Sequence, residues 1–474
     1  MIFSSPEFVL LFLPATVLLY YALLRGGYAR FIGFFLFSAS LVYYAWWRPE
    51  NLLVILASII FNYAFGQALG RLDRWRKAVF ILGVAANLAA LGFYKYTDFA
   101  LRTLNSLLAT DLPMQGIILP LGISFFTFQQ VAYLSDIFMR KHDPAREHFL
   151  DYCCFVCFFP QLVAGPIVHH QEMMPQFHDA KNQEINWENI FNGIVLFSIG
   201  LAKKVLIADN LSPLVKYCFE TSPSLTFAEA ALGSTCYTLQ LYFDFSAYSD
   251  MAVGAALLFN IRLPWNFDSP YKALDIQDFW RRWHITLSRW LRDYLYIPLG
   301  GNRKGKRRTL GNLVMTFLLG GLWHGAAWTF VIWGALHGIA LAVHRLWRDA
   351  GLRLPRLLGW FLTFVFVSLA WVVFRAPDMQ SLRRFAKGFL GLNGFSFSAP
   401  FQRGLSATVP GAEFTPLFVF VACALCMALL FPNSAAILRW RPQKKLYLAA
   451  ALSVVALISI FMPESTPEFI YSKF

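Results

Sequence analysis

Charge is what this sequence has least of. Only 14% of its 474 residues are Asp, Glu, Lys or Arg, against 57% hydrophobic and 17% aromatic. A water-soluble chain of this length needs far more charge to cover its surface. Strict alternation of apolar and polar residues is also missing, which excludes a transmembrane β-barrel. Neither a P-loop nor a dinucleotide-binding glycine fingerprint occurs, so nucleotide hydrolysis is not expected. Cysteine is sparse, with seven residues mostly in apolar sequence. The C-x-x-C spacings at Cys154/Cys157 and Cys423/Cys426 have no further ligands in their own segments. They read as packing residues, and no metal is expected.

What is present is long apolar chain. The mean hydropathy is +0.50, and apolar runs of about 17–25 residues, enough to cross a bilayer, recur from Phe8 to Met462. The chain is therefore an all-α polytopic membrane protein. Its opening, MIFSSPEFVLLFLPATVLLYY, has no basic flank and no small-residue cleavage site, so it reads as a retained first helix. The net charge is +14, and its placement carries the information. Lys and Arg gather at 71–77, 140–148, 300–308, 344–356 and 439–445, and short basic loops stay on the cytoplasmic side. Counting between these anchors puts the N-terminus outside, with helices near 8–24, 30–46, 51–70, 78–93 and 117–139. Helices near 357–374, 415–431 and 446–462 follow at the other end. Arg383, Arg384 and Lys387 conflict with this parity, because the 375–415 connection falls outside. The parity of 150–262 stays open.

Three stretches break the spanning pattern. In DYCCFVCFFPQLVAGPIVHH (151–170), Pro160 and Gly165-Pro166 interrupt an apolar run, as in a broken or re-entrant helix. In QLYFDFSAYSDMAVG (240–254), Asp244 and Asp250 lie at membrane depth, where a carboxylate needs a partner. Helical spacing puts Asp250 on one face with Ser246 and Asp244 on one with Tyr248; Asp244, Ser246 and Asp250 read as a polar cluster of structural or functional use. In GGLWHGAAWTFVIWGALHG (320–338), two histidines sit between basic loops that are 36 residues apart. That interval suits a half-helix in, a turn at Gly320-Gly321 or Gly325, and a longer helix out. His324 then lies beside the turn, inside the bilayer. His337 reads as a histidine hydrogen-bonded between helices.

The segment DFWRRWHITLSRWLRDYLYIPLGGNRKGKRR (278–308) reads as an amphipathic interfacial helix. Arg281, Arg282, Arg289, Arg292 and Asp293 fall on one side; Trp280, Trp283, His284, Leu287, Trp290, Leu291 and Tyr294 fall on the other. An anchor on acidic lipid accounts for all of these except His284. From Arg281 to Arg308 there are nine basic residues and one acidic one, a density that also suits the phosphates of an anionic donor such as coenzyme A. The aromatics line a membrane face, so nucleic acid is not an expected partner.

Taken in order, LPLGISFFTFQQVAYLSDI (119–137), FFPQLVAGPI (158–167), QLYFDFSAYSDMAVG, FWRRWHITLSRWLRDYLYIPLGGNRKG (279–305) and GGLWHGAAWTF (320–330) resemble the membrane-bound O-acyltransferase family. The likeness is to its alginate O-acetyltransferase branch, and less to the teichoic-acid D-alanyl transfer proteins. It implies one transmembrane domain over 1–474: N-terminal helices at 1–140, a catalytic motif region at 150–345 and C-terminal helices at 357–474. It also implies a ring of about eleven transmembrane helices with re-entrant and interfacial helices around a central tunnel. His324 corresponds to the family's essential histidine and His284 to its second. Trp283, Trp323, Arg281, Arg282, Arg303 and Lys304 fall to the donor or the tunnel lining. Acetyl-CoA or another cytosolic acetyl thioester is the implied donor substrate, with no bound cofactor. The implied setting is the bacterial inner membrane with a periplasmic N-terminus and surrounding lipid. An SGNH-type periplasmic partner or the polysaccharide itself is the implied acceptor, beside a polysaccharide synthase complex. A transporter and a passive scaffold are the rival classes; a transporter explains intramembrane Asp and His, a scaffold neither His284 nor His324.

The charge pattern makes a first prediction. Single cysteines placed at Arg303 or Arg308 in a cysteine-free background should resist an impermeant thiol reagent added outside spheroplasts; ready labelling would reverse the orientation.

Overall fold

The computed structural model describes residues 1–46, 48–408 and 414–460, and every regular element among them is helical. Six helices are long and apolar enough to cross a membrane: Glu7–Arg25, Asn51–Arg71, Asp73–Leu108, Trp187–Thr221, Trp328–Asp349 and Arg356–Arg375. Ala29–Ala45 and Thr415–Leu430 are shorter apolar helices. The figure of about eleven spans rests on the resemblance alone.

Most helix ends fall within a few residues of the apolar runs, because a run ends where backbone can again reach water. The fourth helix is the exception. It does not stop near 93 but continues from Arg76 to Leu108, carrying Lys95, Asp98 and Arg102, and ends at Ala109 in a left-handed conformation (φ 51°). Hydropathy marks where a helix leaves the apolar layer, not where the helix stops. The last helix runs Pro442–Ile460; residues 461 and 462 of the expected span lie outside the described residues.

The described chain divides into two compact units. One comprises 1–199, 248–265 and 446–450; the other comprises 200–247, 266–445 and the described residues from 451 on. In the first unit the broken helix appears as Phe149–Cys157, a bend at Phe158, and the short turn Phe159–Leu162 with Pro160 in its opening turn. Cys153, Cys154 and Cys157 are buried there as free thiols, and no three-ligand metal group occurs among the described residues. Asn62 and Asn87 exchange side-chain hydrogen bonds of 3.1 and 2.6 Å between two apolar helices. Glu147 joins Tyr133 (2.7 Å) and His142.

The second unit answers the question of Asp244. Its carboxylate is 2.7 Å from the Lys204 ammonium, which also holds Asp209 at 2.7 Å. Lys204 begins this arrangement on a π-helical turn, Lys203–Ala208. A π-turn brings residues five apart onto one face, which is the spacing of Lys204 and Asp209. Asp244, Ser246 and Asp250 lie on one helix, Phe227–Leu257, and all three are buried. One of the three basic residues that conflict with the parity has a structural role. Arg384, on the helix Met379–Phe389, donates to the carbonyls of Ser222 (2.6 Å) and Phe219 (2.5 Å) and ties down a helix end.

The histidine-bearing stretch is a full hairpin, not a half-helix and a return. The helix Lys306–His324 runs through Gly320-Gly321, and Gly325 takes the bend in extended conformation before Trp328–Asp349 returns. The glycines serve contact between the two helices. A Cβ on Gly321 would sit 3.0 Å from the Gly334 Cα, one on Gly334 would strike the Phe317 carbonyl, and one on Gly338 would lie 2.8 Å from the Val314 Cα. Small-residue stripes of this kind let backbones approach closely where lipid supplies no hydrophobic drive.

Gly334→Val should therefore destabilise the protein by ~1–3 kcal/mol or more through overpacking. Gly311→Ala, on the other helix of the hairpin with no atom within 4 Å of the added Cβ, should stabilise it by ~0.5–1 kcal/mol. Thermal unfolding in detergent reads both; equal effects would remove the role given to the glycine stripe.

Candidate active site

The site grows from the hairpin tip. His324 is the last residue of its helix and 5% exposed. Its ring meets Trp333 edge-on at 5.1 Å and Phe374 at 5.3 Å, with Trp323 beside it at 4.9 Å. Trp333 comes from the returning helix, and Phe374 from the neighbouring span Arg356–Arg375. His337 lies on the far side of Trp333, with ring centroids 4.8 Å apart, and its Nδ1 accepts a 3.2 Å hydrogen bond from the Trp280 indole. That bond ties the hairpin to the helix Ile276–Arg282, the joining role read for His337.

His284 sits where the single amphipathic helix was expected and is the reason that helix is two. Ile276–Arg282 and Ile285–Leu291 are separated by Trp283 and by His284, whose backbone is left-handed at φ 43°. The wheel read from sequence ran on unbroken because the aromatic phase persists across the bend. A left-handed histidine costs on the order of 1 kcal/mol and persists only where its surroundings enforce it. Asn266 enforces it: its Oδ1 accepts from Thr286 N (3.3 Å), from Thr286 Oγ1 (3.0 Å) and from His284 Nδ1 (3.0 Å). The Thr286 N–H can only donate, which fixes that atom of Asn266 as the oxygen and places the His284 proton on Nδ1. The Nε2 lone pair is left pointing away, with no hydrogen-bond donor among the described residues. Burial pushes the His284 pKa down to about 3, so the ring is neutral. Phe245 covers it edge-on at 4.8 Å.

Trp283, 2% exposed, meets Trp371 at 4.8 Å with the rings tilted by 45°, and Trp371 stacks on Trp333 at 5.7 Å. A continuous row of rings thus joins the neighbour of His284 to the neighbour of His324. The basic residues separate into two groups. Arg281 lines a cleft of about 510 Å³ together with Arg289, Arg292, His344 and Arg345, and Trp280 forms part of its wall. Arg282 points elsewhere, paired with Asp278 (2.9 Å) and Asp268 (3.7 Å). Arg303 and Lys304 are exposed in the loop before the hairpin and do not line the cleft. Sequence reasoning missed Asn266, which lies in PWNFDSP with no motif of its own, and His344 and Arg345, which it counted only as a topogenic cluster.

A buried histidine at a helix end, a second, neutral one held by an amide, and a cleft lined by arginines fit an integral-membrane group-transfer site. The comparisons give this class its family. The sequence model of the membrane-bound O-acyltransferase family matches residues 119–377. A peptidoglycan O-acetyltransferase of Helicobacter pylori is 48% identical over 428 residues, covering 84% of this chain and 81% of that one. A probable alginate O-acetylase of Azotobacter vinelandii is 43% identical, covering 80% and 76%. A teichoic acid D-alanyltransferase of Bacillus subtilis is 29% identical, covering 55% and 70%. The chain belongs to the membrane-bound O-acyltransferase family: it is a multi-pass membrane enzyme that transfers acyl groups.

Asn266→Leu should release the His284 ring, and a misplacement of about 1 Å at a reacting group costs roughly 10²-fold. Acyl transfer should fall by that order while Asn266→Asp, which keeps an acceptor oxygen, retains more. Equal activity in both variants and the unaltered protein would show that the cradle is unused.

Proposed function

We propose that this enzyme carries acetyl groups from a cytosolic thioester, acetyl-CoA, to hydroxyls of a cell-envelope or exported polysaccharide on the outer side of the bacterial inner membrane, its N-terminus periplasmic. One observation carries the reading. The arginine-lined cleft shares Trp280 with His337, His337 shares Trp333 with His324, and so a donor's phosphates and its acyl carbon have adjoining places. Arg281, Arg289 and Arg345 hold the anionic end; the acyl end approaches the hairpin tip. The likeness to a peptidoglycan O-acetyltransferase and a probable alginate O-acetylase supports a glycan acceptor. The acetyl group reaches it either directly or by way of a serine on an SGNH-type periplasmic partner, within a synthase complex.

The chemistry follows from two buried imidazoles. The acceptor oxygen attacks the thioester carbonyl carbon as His324 takes its proton, because an uncharged imidazole in an apolar wall is the form a general base requires. The C–O bond forms, the C–S bond breaks with its electron pair on sulfur, and His324 returns the proton to that sulfur. His284, protonated on Nδ1, presents only a lone pair at Nε2. It therefore orients a donor N–H or O–H, and the oxyanion role is left to other groups. Trp283 walls this side.

Purified protein should transfer label from acetyl-CoA to glycan or partner. His324→Gln, which keeps hydrogen bonding but is a poor proton acceptor, should lose ~10²–10⁴-fold in turnover. Neutralising Arg281 and Arg289 together should raise the donor KM and flatten its salt dependence. A well-folded His324→Gln with near-normal turnover would end the general-base assignment.

A further inference from the structure

Two buried indoles in the aromatic cluster that includes His324 have donors without a partner among the described residues. Trp333 and Trp371 are each 1% exposed, and the indole Nε1 of neither has a hydrogen-bond partner among the described residues. An indole N–H can only donate, and leaving one buried and unmet costs ~1–3 kcal/mol. Native structures hold few such groups. The surrounding packing does satisfy other indoles: Trp280 donates to His337 at 3.2 Å and Trp360 to the Tyr271 carbonyl at 3.0 Å. The two unmet ones are those that share Phe374 with His324. Phe374 lies 5.2 Å from Trp333, 5.5 Å from Trp371 and 5.3 Å from His324.

We propose that the indole N–H groups of Trp333 and Trp371 are the oxyanion-stabilising donors of the acyl transfer, catalytic groups that contact the acetyl carbonyl oxygen. The inference rests on the acyl-transfer reading above. As the acceptor hydroxyl oxygen bonds to the carbonyl carbon, its proton passes to His324 and the carbonyl π pair moves onto oxygen. The two indoles donate to that oxygen. The pair then re-forms the C=O bond, the C–S bond breaks with its electrons on sulfur, and His324 gives sulfur the proton. Neutral donors suit this place for a physical reason. A guanidinium or ammonium beside His324 would oppose the imidazolium that forms as it accepts the proton, whereas two N–H dipoles stabilise the oxyanion without lowering the base. They also keep a fixed orientation in a site that excludes water, where such donors act most strongly.

The test replaces each tryptophan by phenylalanine and, separately, by benzothienylalanine, which keeps the bicyclic shape and exchanges N–H for sulfur. Labelled acetyl transfer from acetyl-CoA and the detergent melting temperature are measured for each. Removing one donor should lower kcat by ~10²-fold with the donor KM and melting temperature nearly unchanged. The benzothienyl variants decide the matter if phenylalanine leaves a cavity that unfolds the protein. Turnover within about threefold of the unaltered protein in both benzothienyl variants overturns the proposal, as does a loss confined to KM. Failure of the underlying reading looks different: the unaltered protein would transfer no label, and His324→Gln would match it. Active indole variants beside an inactive His324→Gln remove the oxyanion assignment alone.

Discussion

The backbone contact between the two hairpin helices is the constraint on which the site depends. Gly321, Gly334 and Gly338 allow the strands of helix to touch, and that separation decides which ring meets which. At the distance a Cβ would impose, Trp333 would no longer lie between His324 and His337. The row of rings from Trp283 through Trp371 to Trp333 would lose its last member. Packing in a membrane offers little hydrophobic gain between helices, so close approach and aromatic contact supply the precision that burial supplies in water-soluble enzymes.

Polar groups at depth are met in two different ways here. Away from the hairpin tip several are paired: Lys204 with two carboxylates, Asn62 with Asn87, Arg384 with two carbonyls. Around the hairpin tip the answer is incomplete. His284 is held at one nitrogen only, and two indoles are unmet among the described residues. A partly satisfied polar network inside a membrane protein is costly.

Much of this was legible in the sequence, and the rest was illegible for definable reasons. Continuous apolar runs marked the spans, and the order of motifs marked His324 and His284. The long fourth helix escaped because hydropathy reports the surrounding medium and Lys95 to Leu108 no longer face it. Wheel geometry carried an aromatic stripe straight through His284, since the bend preserves the phase while changing the direction. Asn266 is one unremarkable amide eighteen residues from the ring that it holds. Trp371, in SLAWVVF, looks like any apolar-span tryptophan until its unmet N–H is seen. Each of these depends on contacts between separate elements, which a single sequence does not encode in any local pattern.

The lysine between two carboxylates has a consequence for how the chain enters the bilayer. Lys204 and Asp209 belong to one helix, five residues apart on a π-turn, and are already close as that helix forms. They can leave the translocation machinery as a neutral couple, at far lower cost than either charge alone. Asp244 is synthesised later and can reach Lys204 only once its own helix has entered the bilayer. The earlier segment is thus a receptor waiting in the membrane for the later one, and synthesis from N- to C-terminus imposes the sequence of events that pairing requires.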